Sequence, residues 1–119
     1  MRKIITTFIL SIFLASCDTL YFDDFIVRNN CNDDISVSII FWNNCDTFFA
    51  VKPYNEYYFY SEDGLSKRSA NDIKMVCKTI IITKKDTISK VNYNDKWQMR
   101  SISETKSEFF FIVNSEDFE

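Results

Sequence analysis

The chain has 119 residues, 26% of them charged and 46% hydrophobic, with a formal net charge of −3; that length fits one domain and excludes architectures such as a (β/α)₈ barrel. One Gly and one Pro exclude collagen-like, linker-like and Gly-looped phosphate-binding chains, and the lack of histidine removes the commonest general base together with the commonest metal ligand. Aromatic residues make up 17% of the chain, far too much for a disordered one.

In chain order, Arg2 and Lys3 come first, and Ile4 to Ala15 is then apolar except at Thr6, Thr7 and Ser11. The run is shorter than the roughly 18 residues a spanning helix needs, and it is apolar all round rather than along one stripe. A basic start, a short apolar stretch and small residues at its end describe a secretory signal peptide, expected over residues 1–16. Its removal takes away Arg2 and Lys3 but no acid, leaving a formal charge of −5. Such a surface suits neither nucleic acid nor direct adsorption on anionic lipid. Residues 17–24 then read as a tether and residues 25–119 as a single β domain.

The rest of the chain reads as strands. Phe25–Asn29 is one, and Ile35–Ile39 alternates with period two, prolonged by Ile40-Phe41-Trp42. Phe48–Val51 and Tyr57–Tyr60 flank Pro53, which belongs at an edge or turn. Ser61-Glu62-Asp63-Gly64 is the turn expected to use a positive φ. Ile73, Val76, Cys77 and Ile80 are spaced three and four apart after the capping pair Ser69 and Asp72, which predicts a short helix near 70–77. Thr79–Thr83 and Thr87–Tyr93 flank Lys84-Lys85-Asp86, a hairpin connection. Trp97–Ser101 and Glu108–Val113 flank a polar turn at 104–107. Seven or eight β-branched and aromatic strands predict an all-β fold, an antiparallel sandwich or small barrel. Val37, Ile39, Ile81, Trp97, Phe109 and Phe111 are expected to point inward.

Leu14-Ala15-Ser16-Cys17 resembles the lipobox of bacterial lipoproteins. The resemblance implies that Cys17 carries a diacylglycerol after cleavage just before it, and that the new amine is acylated. Two or three acyl chains, at about 0.8 kcal/mol per buried CH₂, hold a protein on a bilayer where one would let go. Asp86-Thr87-Ile88, Tyr93, Trp97, Phe109-Phe110-Phe111-Ile112-Val113 and Asp117-Phe118 are similar to small lipoproteins of Bacteroidota. That likeness covers the lipobox and the second half of the chain, and it brings no catalytic motif. Asp18-Thr19-Leu20 and Asp86-Thr87-Ile88 resemble the O-glycosylation acceptor motif of Bacteroides, with Thr19 on the tether the better candidate. The acidic residues after Cys17 resemble surface-export signals of Bacteroidota, so the outer membrane is favoured over the inner.

An exported, oxidising setting makes a disulfide expected among Cys31, Cys45 and Cys77, with one thiol left over. Cys31 and Cys45 flank the strand at 35–42, about 26 Å long for eight residues, whereas bridged Cα atoms lie within roughly 7 Å. Cys77 with Cys45 or with Cys31 is therefore the expected bridge. A three-cysteine metal site has no Cys-x-x-Cys or histidine behind it. The loop Asn29-Asn30-Cys31-Asn32-Asp33-Asp34 is rich in oxygens but lacks the EF-hand spacing, and reads as a solvated turn. Trp42, Tyr54, Trp97 and the run Tyr57-Tyr58-Phe59-Tyr60 offer rings either to the core or to a glycan or protein partner. Strict alternation would leave two rings of that run outward.

Without histidine there is no Ser-His or Cys-His couple. A carboxylate pair for glycoside cleavage is open to a chain with 17 acidic residues, but no catalytic, metal or cofactor-binding residue is assigned. The reading is a lipid-anchored, non-catalytic β domain of the envelope, acting as a binding or accessory module. The alternative is a periplasmic immunity or inhibitor lipoprotein blocking a basic protein.

Overall fold

A computed structural model describes residues 19–119. The expected signal helix and Cys17, the residue expected to carry the lipid, lie outside the described residues. Eight strands follow in order: β1 (Tyr21–Asn29), β2 (Ile35–Phe41), β3 (Asp46–Val51), β4 (Glu56–Gly64), β5 (Cys77–Lys84), β6 (Thr87–Ile88), β7 (Gln98–Ser101) and β8 (Lys106–Val113). They form two four-stranded sheets, ordered β4-β1-β8-β7 and β3-β2-β5-β6. All pairings are antiparallel except that of β1 with β8, which run side by side in the same direction at the centre of the first sheet. The fold is the expected all-β sandwich. The strand β1 starts at Tyr21, so residues 21–24, expected in the tether, are already paired with β4 and β8.

Period-two alternation builds the core. Phe25 and Val27 of β1 with Phe109, Phe111 and Val113 of β8 face Ile35, Val37 and Ile39 of β2 and Ile82 of β5, all buried. Each such side chain stabilises the fold by about 1.5–3 kcal/mol relative to exposure. Phe25 stacks on Phe109 with centroids 5.6 Å apart. Trp97 meets Phe111 edge-on at 5.0 Å, and its indole N–H donates to Asn94 Oδ1 at 3.1 Å.

Two bulges alter this pattern. In β5 the register passes from Ile40↔Thr79 to Phe41↔Cys77, skipping Lys78. One extra residue reverses the parity of everything after it. Cys77 points inward, and beyond the bulge so do Ile80 and Ile82, which corrects the expectation for Ile81: it is 43% exposed while Ile82 is 1% exposed. In β4 the register passes from Phe25↔Tyr60 to Ile26↔Tyr58, skipping Phe59. Tyr57 and Phe59 both reach Phe49 on the inner side, at 4.4 and 5.8 Å, and Tyr60 lies 5.0 Å from Phe41. Only Tyr58 turns to the outer face, where its hydroxyl donates to Glu108 Oε2 at 2.7 Å.

The connections also differ from expectation in places. Ser61–Gly64 continues β4 rather than turning, and Gly64 has no positive φ. Positive φ falls instead on Asn44, Tyr54, Lys85 and Asp86. Two successive left-handed residues, Lys85 and Asp86, make the tight β5–β6 hairpin whose twist matches its strands. The strand expected over Thr87–Tyr93 stops at Ile88. The chain then curls so that the buried Tyr93 shares a 2.7 Å hydrogen bond with Ser89 and donates to Asp117 Oδ2 at 3.0 Å. The helix expected near 70–77 is a 3₁₀ helix over Ala70–Met75.

Candidate functional site

At one end of the sandwich the β2–β3 turn faces the connection from β4 to β5 across an open cleft of about 760 Å³. That volume lies within the roughly 300–1,000 Å³ typical of small-ligand sites. One wall is the three-residue loop Trp42-Asn43-Asn44. Phe41 N–H donates to Cys45 O at 2.9 Å, and Asn44 takes the left-handed conformation that closes such a loop. Asn43 Oδ1 accepts from Cys45 N–H at 3.0 Å. This tight turn lifts Trp42 off the sheet, so that the indole is 55% exposed. Lys78 Nζ, at the β5 bulge, lies 5.8 Å from the indole centroid, which steadies the ring by a cation–π contact.

The opposite wall carries the charges. Arg68 pairs with Glu62 at the end of β4 and lies 3.9 Å from Asp23 of β1. Tyr60 O–H donates to Glu62 Oε2 at 3.0 Å. Burial pushes the Asp23 carboxyl above its ordinary range, with Arg68 opposing the shift. Burial and the bond to Glu62 push the Tyr60 phenol up as well. Asp72, on the first turn of the 3₁₀ helix, accepts from Ser69 N–H and Ser69 Oγ, both at 2.9 Å. Those two bonds hold its carboxyl below the ordinary range.

The cleft thus brings together Trp42, Cys45 and Tyr60, all singled out by sequence, with Asp72 of the capping pair, which Ser69 holds from behind. Glu62 and Arg68 were missed as partners, because nothing in the spacing of residues 62 and 68 says that the β4–β5 connection folds back over β1. Chemically, the two carboxylates of the cleft are both engaged as acceptors.

Cys45 apart, the other sequence candidates lie elsewhere. Cys31, Cys45 and Cys77 are all free thiols, which corrects the expected bridge of Cys77 to Cys45 or to Cys31. Cys45 and Cys77 flank Phe41 on opposite sides, one through the β2–β3 turn and the other through β5. Two strand spacings make about 9.6 Å, beyond the roughly 7 Å of a bridged pair. Cys31 precedes the far end of β2, about 20 Å from both at 3.3 Å per residue. Cys77 is buried, which pushes its thiol from 9.0 to about 12. The 29–34 loop is held by Asn29, whose buried amide donates to Asp33 O at 2.8 Å and Val51 O at 3.0 Å and accepts from Cys31 N–H at 2.8 Å. Tyr54 sits in a turn beside Asn32, its hydroxyl donating to Asn32 Oδ1. Thr19 is exposed just before β1. Compared with protein-family models, curated proteins and solved structures, the chain matches none of them.

Proposed function

We propose that this protein is a lipid-anchored, non-catalytic β-sandwich of the bacterial envelope, resembling the small lipoproteins of Bacteroidota, that captures a partner in the cleft between Trp42 and Arg68. The observation that carries the binding half is the cleft itself, where an exposed indole stands opposite an ordered set of charged and hydrogen-bonding groups. The anchoring half rests on Leu14-Ala15-Ser16-Cys17 after a basic, apolar leader. No helix among the described residues is long and apolar enough to cross a membrane. The outer membrane is the favoured site, with Thr19 available for O-glycosylation beside the anchor.

Both halves are tested in one strain series. Cells are grown with labelled palmitate, and wild type is compared with Cys17→Ala; the label enters the wild type alone, and the variant remains as unprocessed precursor. A Cys17→Ala protein that is processed and still sediments with membranes overturns the anchor. For the cleft, a photocrosslinker is attached to the exposed Cys45 of the purified full-length protein, which is returned to a detergent extract of envelopes. A discrete adduct that disappears in Trp42→Ala supports capture in the cleft, and an adduct pattern indifferent to Trp42 overturns it. A single basic protein as that adduct would move the assignment to the immunity or inhibitor alternative.

A further inference from the structure

We infer that the cleft takes a neutral, polyhydroxylated ligand, a pyranose or short oligosaccharide, seated against Trp42. This inference rests on the reading of the cleft as the binding face and names its ligand class.

Charge decides among the classes. Among the described side chains, the lining carries two cations, Lys67 and Arg68, and two acids, Glu62 and Asp72, whose formal charges cancel. An anionic ligand would meet Glu62 and Asp72, and a cationic one would meet Lys67 and Arg68. A purely apolar ligand would strip water from all four groups and return no hydrogen bonds. A hydroxyl both donates and accepts. A polyol therefore gives protons to Glu62 and Asp72 and takes them from Arg68, Lys67 and the Asn43 amide. None of the existing ion pairs has to break: Arg68 stays with Glu62, and Asp72 keeps its bonds from Ser69.

Shape agrees with charge. An indole is a flat apolar plate with one polar edge, suited to a ligand that is apolar on one face and wet at its rim. The C–H face of a pyranose is such a ligand. Trp42 is fixed by the tight β2–β3 turn and by Lys78 rather than left to wander, so little side-chain freedom is lost on binding. Phe41 and Tyr60, with centroids 5.0 Å apart at the cleft floor, extend the apolar strip beyond one ring. The cleft is open to solvent, which leaves a way out for further sugars.

The test uses the full-length protein in a zwitterionic detergent without sugar headgroups. Three probes are titrated: maltohexaose, cellohexaose and the hexamer of N-acetylglucosamine. Trp97 is 8% exposed and in the core, so a change in tryptophan emission reports Trp42, and calorimetry gives affinity independently. At least one hexamer should shift emission to the blue, and Trp42→Ala should weaken its binding by roughly tenfold or more, while Trp42→Phe keeps most of it. Trp42 lies outside the core, and unchanged circular dichroism of Trp42→Ala keeps the comparison valid; the wild-type emission shift stands even without that variant. No response to any of the three, or binding indifferent to Trp42, overturns the ligand assignment. A Trp42-dependent protein adduct on Cys45 with no sugar response overturns the sugar and leaves the binding face standing, whereas loss of both overturns both.

Discussion

At the scale of single residues, burial sorts the three thiols. Cys31 and Cys77 are buried and Cys45 is exposed. Burial raises the pKa of both inner thiols, for Cys77 to about 12, and only the thiolate attacks a disulfide reagent. At pH 8 the folded protein should therefore titrate one of these three cysteines with an aromatic disulfide reagent, and all three after denaturation in guanidinium. Cys45→Ser should abolish the fast reaction and leave the other two. Rapid reaction of Cys77 in the folded state would contradict its packing behind Phe41. The number of cysteines was legible in the sequence, and so was the awkwardness of joining Cys31 to Cys45 across a whole strand. What was not legible is that Cys45 and Cys77 end up on either side of β2, because strand order is a property of the sheet.

At the scale of elements, strand existence followed from local pattern, and strand parity did not. A run such as Thr79-Ile80-Ile81-Ile82-Thr83 is apolar on both faces, so nothing within it says which isoleucine turns in. The bulge at Lys78 decides, and a bulge is a backbone event set by the neighbouring strand. The same argument applies to Tyr57-Tyr58-Phe59-Tyr60, where skipping Phe59 turns three rings inward rather than two. The consequence is measurable. Ile82→Ala should cost about 2–5 kcal/mol in urea unfolding, as a buried large-to-small change does, whereas Ile81→Ala should cost under about 1 kcal/mol. Equal costs would mean that the register of β5 is not the one described. The cleft was legible only in pieces. Trp42 and Tyr60 stood out as aromatics and Ser69 with Asp72 as a cap, but the β4–β5 connection has to fold beside the β2–β3 turn before Arg68 and Glu62 face Trp42.

At the scale of the whole molecule, the two sheets divide their outer faces by chemistry. On the first sheet Arg100 binds Glu108 through Nε at 2.8 Å, and Glu56 lies between Arg28 at 3.4 Å and Arg100 at 3.7 Å. On the same face Ile26, paired with Tyr58 and Phe110, is wholly buried where alternation alone would have left a polar side chain. The second sheet presents Ser36, Ser38, Phe48, Ile81, Thr83 and Ile88 in adjoining register rows, with no ion pair among them. The cleft beside Trp42 lies at neither face but at the end, where both sheets contribute loops.

The parallel pairing of β1 with β8 sets an order of events. Residues 22–29 are hydrogen-bonded along their length to residues 106–113, at the middle of the sheet. Neither strand can bury Phe25 or Phe109 until the other has arrived, and closing so long a loop comes before any reward for it. A chain stopped before Lys106 should show no cooperative unfolding and no dispersed amide spectrum, although it keeps the residues of β1 to β7; a folded truncation would contradict the central place of β8. A ribosome exit, or any narrow channel, therefore meets β1 without its central partner until β8 emerges. The first sheet closes only when residues 106–113 have cleared the exit, so residues 21–105 pass it before their sandwich is complete.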